Sequence, residues 1–299
     1  MSNIKILREI CGGDLLTDLH YTRLEEIQHE LERRGGRKGQ KRASPATVKR
    51  KMETLSKALT VATMMMGPDK KPILFAKPTF PSIKINNIQD RVLSNAECVA
   101  VFKVIDTKHL ENPSHDWKRF GCFVRFLLDT ACRKGEALML LDEWIEVDGD
   151  GDTMIHWPRY REATEEEKAR TGLNQIERLK NGKAKGLPAS KAIVDMLPFL
   201  RALSPDGKRL FPHHPSTMDW KWREVRKAMK PLGHNIDDVK FHTLRHTTIT
   251  DMLRAKESLP MVSRFAGHSS IKITADRYGH LIADDLKDLV KGKERRDAA

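Results

Sequence analysis

Between residues 67 and 90 the chain carries four prolines (Pro68, Pro72, Pro78 and Pro81). Proline lacks the amide donor and fixes φ, so neither a helix nor a central strand can run through this stretch. It must be extended, with its interspersed apolar residues free to dock on a neighbour. The chain therefore reads as residues 1–66, a linker over 67–90, and residues 91–299, with the boundary near Asp90.

Before the linker the pattern is helical. Leu24, Ile27 and Leu31 share one face of a helix from about Tyr21 to Arg34. Ser44 as N-cap and Pro45 at the first helical position open a second helix, whose Val48, Met52, Leu55, Leu59 and Met66 keep a packing face until Gly67-Pro68 stops it. Between and across these helices runs a block without an acidic residue: Arg33, Arg34, Arg37, Lys38, Lys41, Arg42, Lys49, Arg50 and Lys51. Three glycines (Gly35, Gly36 and Gly39) break its first half into a loop. Residues 1–90 hold 17 basic and 10 acidic side chains, so over half of the net charge of +13 sits in under a third of the chain. Such a balance points to a polyanion, and the block is the candidate phosphate-contacting surface.

After the linker, Ser94-Asn95-Ala96-Glu97 is a capping box. Helices are predicted near 94–107, 116–130 and 133–140, then short strands near 144–147 and 153–157 joined by Asp148-Gly149-Asp150-Gly151-Asp152. A charged segment, 159–171, reads as an exposed insertion. A third strand near 175–179 runs into Lys180-Asn181-Gly182-Lys183, where Asn-Gly signals a hairpin turn. Helices follow near 191–200, 216–230, 244–254, 260–266, 273–278 and 283–291. The expected fold is mainly α with a small antiparallel β-sheet.

Several chemistries lose support. No stretch reaches the ~18 apolar residues of a spanning helix, and the N-terminus has no apolar run followed by a small-residue cleavage site. The four cysteines form no CxxC pair, which argues against a zinc module or disulfide framework and for a reducing, cytoplasmic setting. The aspartate run lacks the glycine and glutamate of a calcium loop, with Thr153 and Arg159 at those positions. His242 and His246 are spaced as in HExxH, but Thr243 stands where the glutamate belongs. No Gly-rich phosphate loop is present, so neither metal nor nucleotide cofactor is expected.

What remains would grip a phosphodiester: His242-Thr243-Leu244-Arg245, Arg133 after Thr130-Ala131-Cys132 with Glu136 one turn on, His268 after Gly267, and Tyr278 in Asp276-Arg277-Tyr278-Gly279-His280. Glu136 either buttresses Arg133 or is a surface helix residue. In this order, with Lys180-Asn181-Gly182-Lys183 between, these segments resemble the tyrosine recombinase (phage integrase) family. The resemblance covers the whole region after the linker, and Ser44-Pro45-Ala46-Thr47-Val48 is similar to the family's helical core-binding domain.

The resemblance implies a site-specific DNA recombinase, bacterial or phage-encoded. Arg133 and Arg245 would clamp the scissile phosphate. His242 would assist proton transfer, His268 would bond a non-bridging oxygen, and Tyr278 would be the nucleophile. Lys180 would be the general acid, with Lys183 or Lys185 as fallback. Thr243 stands where many members carry Asp. The family implies a C-shaped clamp on double-stranded DNA and a homotetramer on two sites, monomeric when free. It leaves room for a core-binding domain but not for an additional arm-binding domain. Leu286, Leu289 and Val290 of the last helix would face a neighbouring protomer or their own domain. The rivals are a non-catalytic DNA-binding regulator, which has no need of Tyr278, and a metal-dependent nuclease, which needs clustered carboxylates.

Overall fold

The computed structural model describes residues 3–34, 42–85, 91–162, 165–171, 175–177, 184–204 and 207–279. The chain divides into two compact units, Met1–Ile88 and Gln89–Ala299.

The first unit packs three helices, α1 (Asn3–Cys11), α2 (Tyr21–Arg33) and α3 (Pro45–Met64). Leu24, Ile27 and Leu31 of α2 meet Val48, Met52, Leu55 and Leu59 of α3, with Leu7 of α1 closing the core. Ser44 caps α3 as its sequence predicts, its Oγ accepting the Thr47 amide at 3.3 Å. Two details differ. The helix ends at Met64, before Gly67, so Met66 lies beyond it and is exposed rather than on the packing face. Lys51, counted with the basic block, is buried. The proline-rich stretch is not extended throughout: a tight turn over 67–71 brings Met66 opposite Pro72 before the chain runs on, and its Leu74, Phe80 and Ile83 dock on the helical core of their own unit. Helix α1 has no counterpart in the sequence reading.

The second unit opens with α4 (Asn95–Glu111). The Ser94–Glu97 capping box forms, and Arg91 holds Glu97 at 2.5 Å. The resulting bonds to Arg91 pull the Glu97 carboxyl down to about 2. Next come α5 (Trp117–Thr130) and α6 (Lys134–Leu138). A three-stranded antiparallel sheet has the order β1 (Ile145–Val147), β2 (Thr153–Trp157), β5 (Lys185–Pro188). The aspartate run is the β1–β2 turn: Asp148 Oδ1 accepts the amides of Asp150 and Asp152 at 3.1 and 2.9 Å. Then follow α8 (Lys191–Ala202), α9 (Pro215–Met229), α10 (Phe241–Arg254), α11 (Leu259–Ala266) and a helix over residues 271–279.

The segment expected as an exposed insertion is exposed at Arg159, Tyr160, Glu165 and Glu166 and carries secondary structure of its own. β3 (Tyr160–Glu162) and β4 (Gln175–Glu177) form their own antiparallel ribbon around α7 (Glu165–Thr171). The third predicted strand therefore pairs with β3, not with the strand after the Asn-Gly turn. That later strand, β5, pairs with β2 because its Leu187, opposite Ile155, belongs to the core.

Helix α10 joins two cores. Its Phe241 packs on Phe123 and Trp222, with ring centroids 5.6 and 5.3 Å apart, at the edge of the main aromatic core. Ile249 and Leu253, farther along, form a smaller cluster with Ala131, Val262, Ala266 and Tyr278. Full burial of each such side chain is worth about 1.5–3 kcal/mol. The residues between these two anchors, 242–246, are thereby held in place.

Candidate active site

The site is assembled on the loop between α5 and α6. Helix α5 stops because Ala131 adopts a left-handed conformation, φ 50°. A residue with a β-carbon pays for this, about 1–2 kcal/mol, and the surrounding contacts must hold it there. Thr130 Oγ1 accepts the Cys132 amide at 3.3 Å, and the Ala131 carbonyl accepts from Arg245 Nη1 at 2.6 Å. The turn thus delivers Arg133 as the N-cap of α6 and ties it to α10.

Glu136 is buried and holds Arg133 at two points, which resolves the earlier alternative in favour of the buttress. Its Oε2 accepts the Arg133 amide at 3.0 Å and its Oε1 accepts from Arg133 Nη1 at 2.6 Å. Trp157 Nε1 donates to the Glu136 carbonyl, fixing this turn to the sheet. Arg133 remains half-buried, its guanidinium anchored on one side. Arg245 is only 2% exposed, and its Nη2 is buried with no partner among the described residues. Desolvation, and then the neighbouring Arg133, lower its pKa. Two guanidiniums in electrostatic reach of one another, each with its own anchor, are suited to share one anion.

Histidines and the tyrosine close the other sides. His242 and His246 lie on one face of α10, rings 4.6 Å apart and nearly perpendicular, His242 at the surface and His246 buried. His268 follows Gly267, whose φ of 69° ends α11, and its Nδ1 is 2.6 Å from Thr274 Oγ1. Burial, with the cations Arg245 and Arg133, lowers the His268 pKa to about 4. Tyr278 is 4% exposed and its hydroxyl is hydrogen-bonded to His246 Nδ1. Burial raises its pKa to about 12, against the opposing pull of Arg277 and Arg245. Helix α10 places Thr243 where its Oγ1 accepts the Lys240 amide at 3.1 Å, a capping bond that an Asp would also make.

Arg133, His242, Arg245, His268 and Tyr278 are thus brought within electrostatic reach of one another. Lys180 and Lys183 lie outside the described residues, as do Arg37, Lys38 and Lys41 and the segment with Leu286, Leu289 and Val290. Lys185 enters the site from β5. Its side chain lies over the Trp157 ring, 5.1 Å from the centroid, and a β-carbon on Gly267 would stand 3.3 Å from its Cδ. Its Nζ is buried with no partner among the described residues, and desolvation lowers its pKa to about 8. The residue that sequence reasoning missed is His246: the i, i+4 histidine pair was visible, but not the tyrosine that meets it. Among the described residues no group of three His, Cys, Asp or Glu is arranged for a metal.

Elsewhere, Arg42, Lys49 and Arg50 are exposed. Arg33 and Arg34 are partly engaged, Arg33 with Glu30 at 3.2 Å and Arg34 with Glu9 and Glu30, both at 3.0 Å. No described helix is long and apolar enough to cross a membrane.

The XerD tyrosine recombinase of Corynebacterium glutamicum is 32% identical over 75 residues, a match that spans 25% of this chain and 24% of that protein. The chain resembles a crystal structure of the XerH site-specific recombinase bound to difH substrate, TM-score 0.61 at 18% identity, covering 95% of this chain and 74% of that one. It also resembles the Tn1549 transposon integrase in complex with transposon right-end DNA, TM-score 0.66 at 16% identity, covering 99% and 92%. Those likenesses establish the fold. Residues 91–284 match the phage integrase family, nearly the whole second unit and about two-thirds of the chain: the protein belongs to that family, the tyrosine recombinases.

Proposed function

We propose that this protein cuts and rejoins double-stranded DNA at specific sites through a 3′-phosphotyrosyl intermediate, with neither metal nor nucleotide. The observation that carries the reading is the pair of anchored guanidiniums, one with an unpartnered buried Nη2, beside a buried tyrosine. Arg133 and Arg245 hold the non-bridging oxygens of one phosphodiester. Tyr278 Oη attacks phosphorus and the P–O5′ bond breaks. The phenol loses its proton as it attacks, a transfer that His242 assists. His268 donates to a phosphate oxygen. Charge builds on the oxygens in the transition state, and fixed cations stabilise it there more than in the ground state. The phosphotyrosyl bond keeps the energy of the broken one, so rejoining needs no nucleotide.

The leaving 5′ oxygen takes a proton from Lys180 in this reading. Lys185 is the second candidate, since its pKa of about 8 suits a donor near neutral pH. Alanine at the true donor slows cleavage of an ordinary phosphodiester by ~10²–10⁴-fold. It spares a substrate with a 5′-thiol leaving group, which needs no proton. Equal slowing on both substrates removes a lysine from the role.

The working assembly in this reading is four protomers on two DNA sites in the cytoplasm. The decisive test uses a nicked suicide substrate in excess EDTA. The wild type forms a denaturant-resistant protein–DNA adduct; Tyr278→Phe forms none and binds DNA within a few-fold. An adduct persisting in Tyr278→Phe, or wild-type cleavage that EDTA abolishes and magnesium restores, overturns the mechanism. Binding without any adduct favours the regulator.

A further inference from the structure

Tyr278 does not stand free in its site. Its hydroxyl is bonded to Nδ1 of His246, a side chain 6% exposed, with the two ring centroids 5.9 Å apart. We propose that His246 is the positioning residue of the nucleophile, a hydrogen-bond acceptor that holds the Tyr278 oxygen in place with its proton on until a phosphate occupies the arginine pair. The inference rests on the phosphotyrosyl reading above, but the hold itself exists without DNA.

The direction of the bond follows from the acidities. A phenol is a far stronger hydrogen-bond donor than a neutral imidazole N–H, and an imidazole nitrogen is the better acceptor, so Tyr278 donates and His246 accepts. The imidazole proton then lies on Nε2, which is buried and has no partner among the described residues. His246 also stays neutral. Burial first, then the charges of Arg277, His242, Arg245 and His268 around it, lower its pKa to about 3. Facing a phenol at about 12, such a ring accepts a hydrogen bond but does not take the proton. Burial with the neighbouring cations thus keeps the acceptor uncharged, while burial alone, against the pull of Arg277 and Arg245, keeps the nucleophile protonated.

His246 is held for the task. Being one turn beyond His242 and adjacent to Arg245 on α10, it moves with the guanidinium that grips the phosphate. The tyrosine ring is fixed from below by the small core of Ala131, Ile249, Leu253, Val262 and Ala266. The bond therefore sets the last freedom left to the phenol, the position of its oxygen relative to Arg245.

Two variants separate holding from proton acceptance. In His246→Asn the amide oxygen stands near the site of Nδ1 and still accepts, but it cannot be protonated. In His246→Ala the acceptor is gone. Covalent adduct formation on the suicide substrate falls about 10²-fold in His246→Ala, the scale of loss for a misplaced reacting group. It recovers to within about tenfold of wild type in His246→Asn, with DNA affinity within a few-fold for both. If both variants lose equally, His246 is a proton acceptor; if neither loses, the contact is idle. Either outcome overturns the proposal.

A second measurement needs no DNA. In a Tyr21→Phe, Tyr160→Phe background only Tyr278 contributes a phenol. Ultraviolet titration then shows its ionisation well above the ordinary phenol range in the otherwise wild-type and His246→Asn proteins, and lower in His246→Ala. A phenol unmoved by His246→Ala refutes the hold even if no variant cleaves DNA. A moved phenol without cleavage upholds the hold and refutes the phosphotyrosyl reading instead.

Discussion

Glu136 carries a consequence out of proportion to its place on a five-residue helix. It is the one carboxylate bonded to Arg133 among the described residues, and its backbone carbonyl is pinned by Trp157. Charge-assisted hydrogen bonds are worth about 1.5–3 kcal/mol. Glu136→Gln keeps the shape and removes the charge, so adduct formation should slow by about tenfold or more, with DNA affinity nearly unchanged. Rapid-quench kinetics on a suicide substrate measures this; an unchanged rate would reduce Glu136 to a structural residue. The individual site residues were legible because Arg133, His242, Arg245, His268 and Tyr278 keep a family order along the chain. Their supports were not. The Ala131 carbonyl and Arg245 are 114 residues apart, and Tyr278 and His246 are 32 apart. No periodicity or cap signal reports such pairs. Lys185 was visible only as a fallback for Lys180, because burial over Trp157 depends on the pairing of β2 with β5.

Among elements, those announced by local chemistry are readable, the β1–β2 hairpin with its aspartate turn included, and pairings between strands distant in sequence are not. The Ser44-Pro45 start of α3 and the Ser94–Glu97 box of α4 are bonds within one turn. The β3–β4 ribbon rests on pairing across α7; β4 matches the strand predicted near 175–179, but its partner β3 lies in the segment that reads as an exposed insertion. Helix α1 is short, nine residues, and goes unread in the sequence although Gly12 closes it. The basic block can be judged more finely with α2 and α3 in hand. Arg33 and Arg34 answer acidic neighbours on α2 and α1, whereas Arg42, Lys49 and Arg50 are exposed with no ion pair found among the described residues. If the block contacts phosphates, each of Arg42, Lys49 and Arg50 changed to Gln should flatten the slope of log K against log salt by up to about 0.9. Arg33→Gln and Arg34→Gln should do so less. Fluorescence anisotropy over a salt series distinguishes the two groups, and equal slopes throughout would return the block to solvent.

The molecule as a whole should be sensitive to mild acid. His246 and His268 ionise near 3 and 4 in the fold, against ~6.5 in an unfolded chain. The unfolded chain therefore binds more protons between those limits, so stability is complete above about pH 6.5 and declines as pH falls. Glu97, held near 2, loses its contribution only below ~4.5, so the first part of the decline belongs to the histidines. The melting temperature should fall between pH 6.5 and 5, and His268→Gln should make that fall shallower; a flat profile in the wild type would contradict the buried neutral rings. The left-handed Ala131 has a consequence in time. During synthesis at about 5–20 residues per second, the 114 residues separating its carbonyl from Arg245 take about 6–20 s to emerge. Until then the turn has only its local bond from the Cys132 amide to Thr130 Oγ1, and Arg133 lacks the second guanidinium. The arginine pair is thus one of the last features a ribosome can deliver, and a growing chain is without it until α10 has emerged.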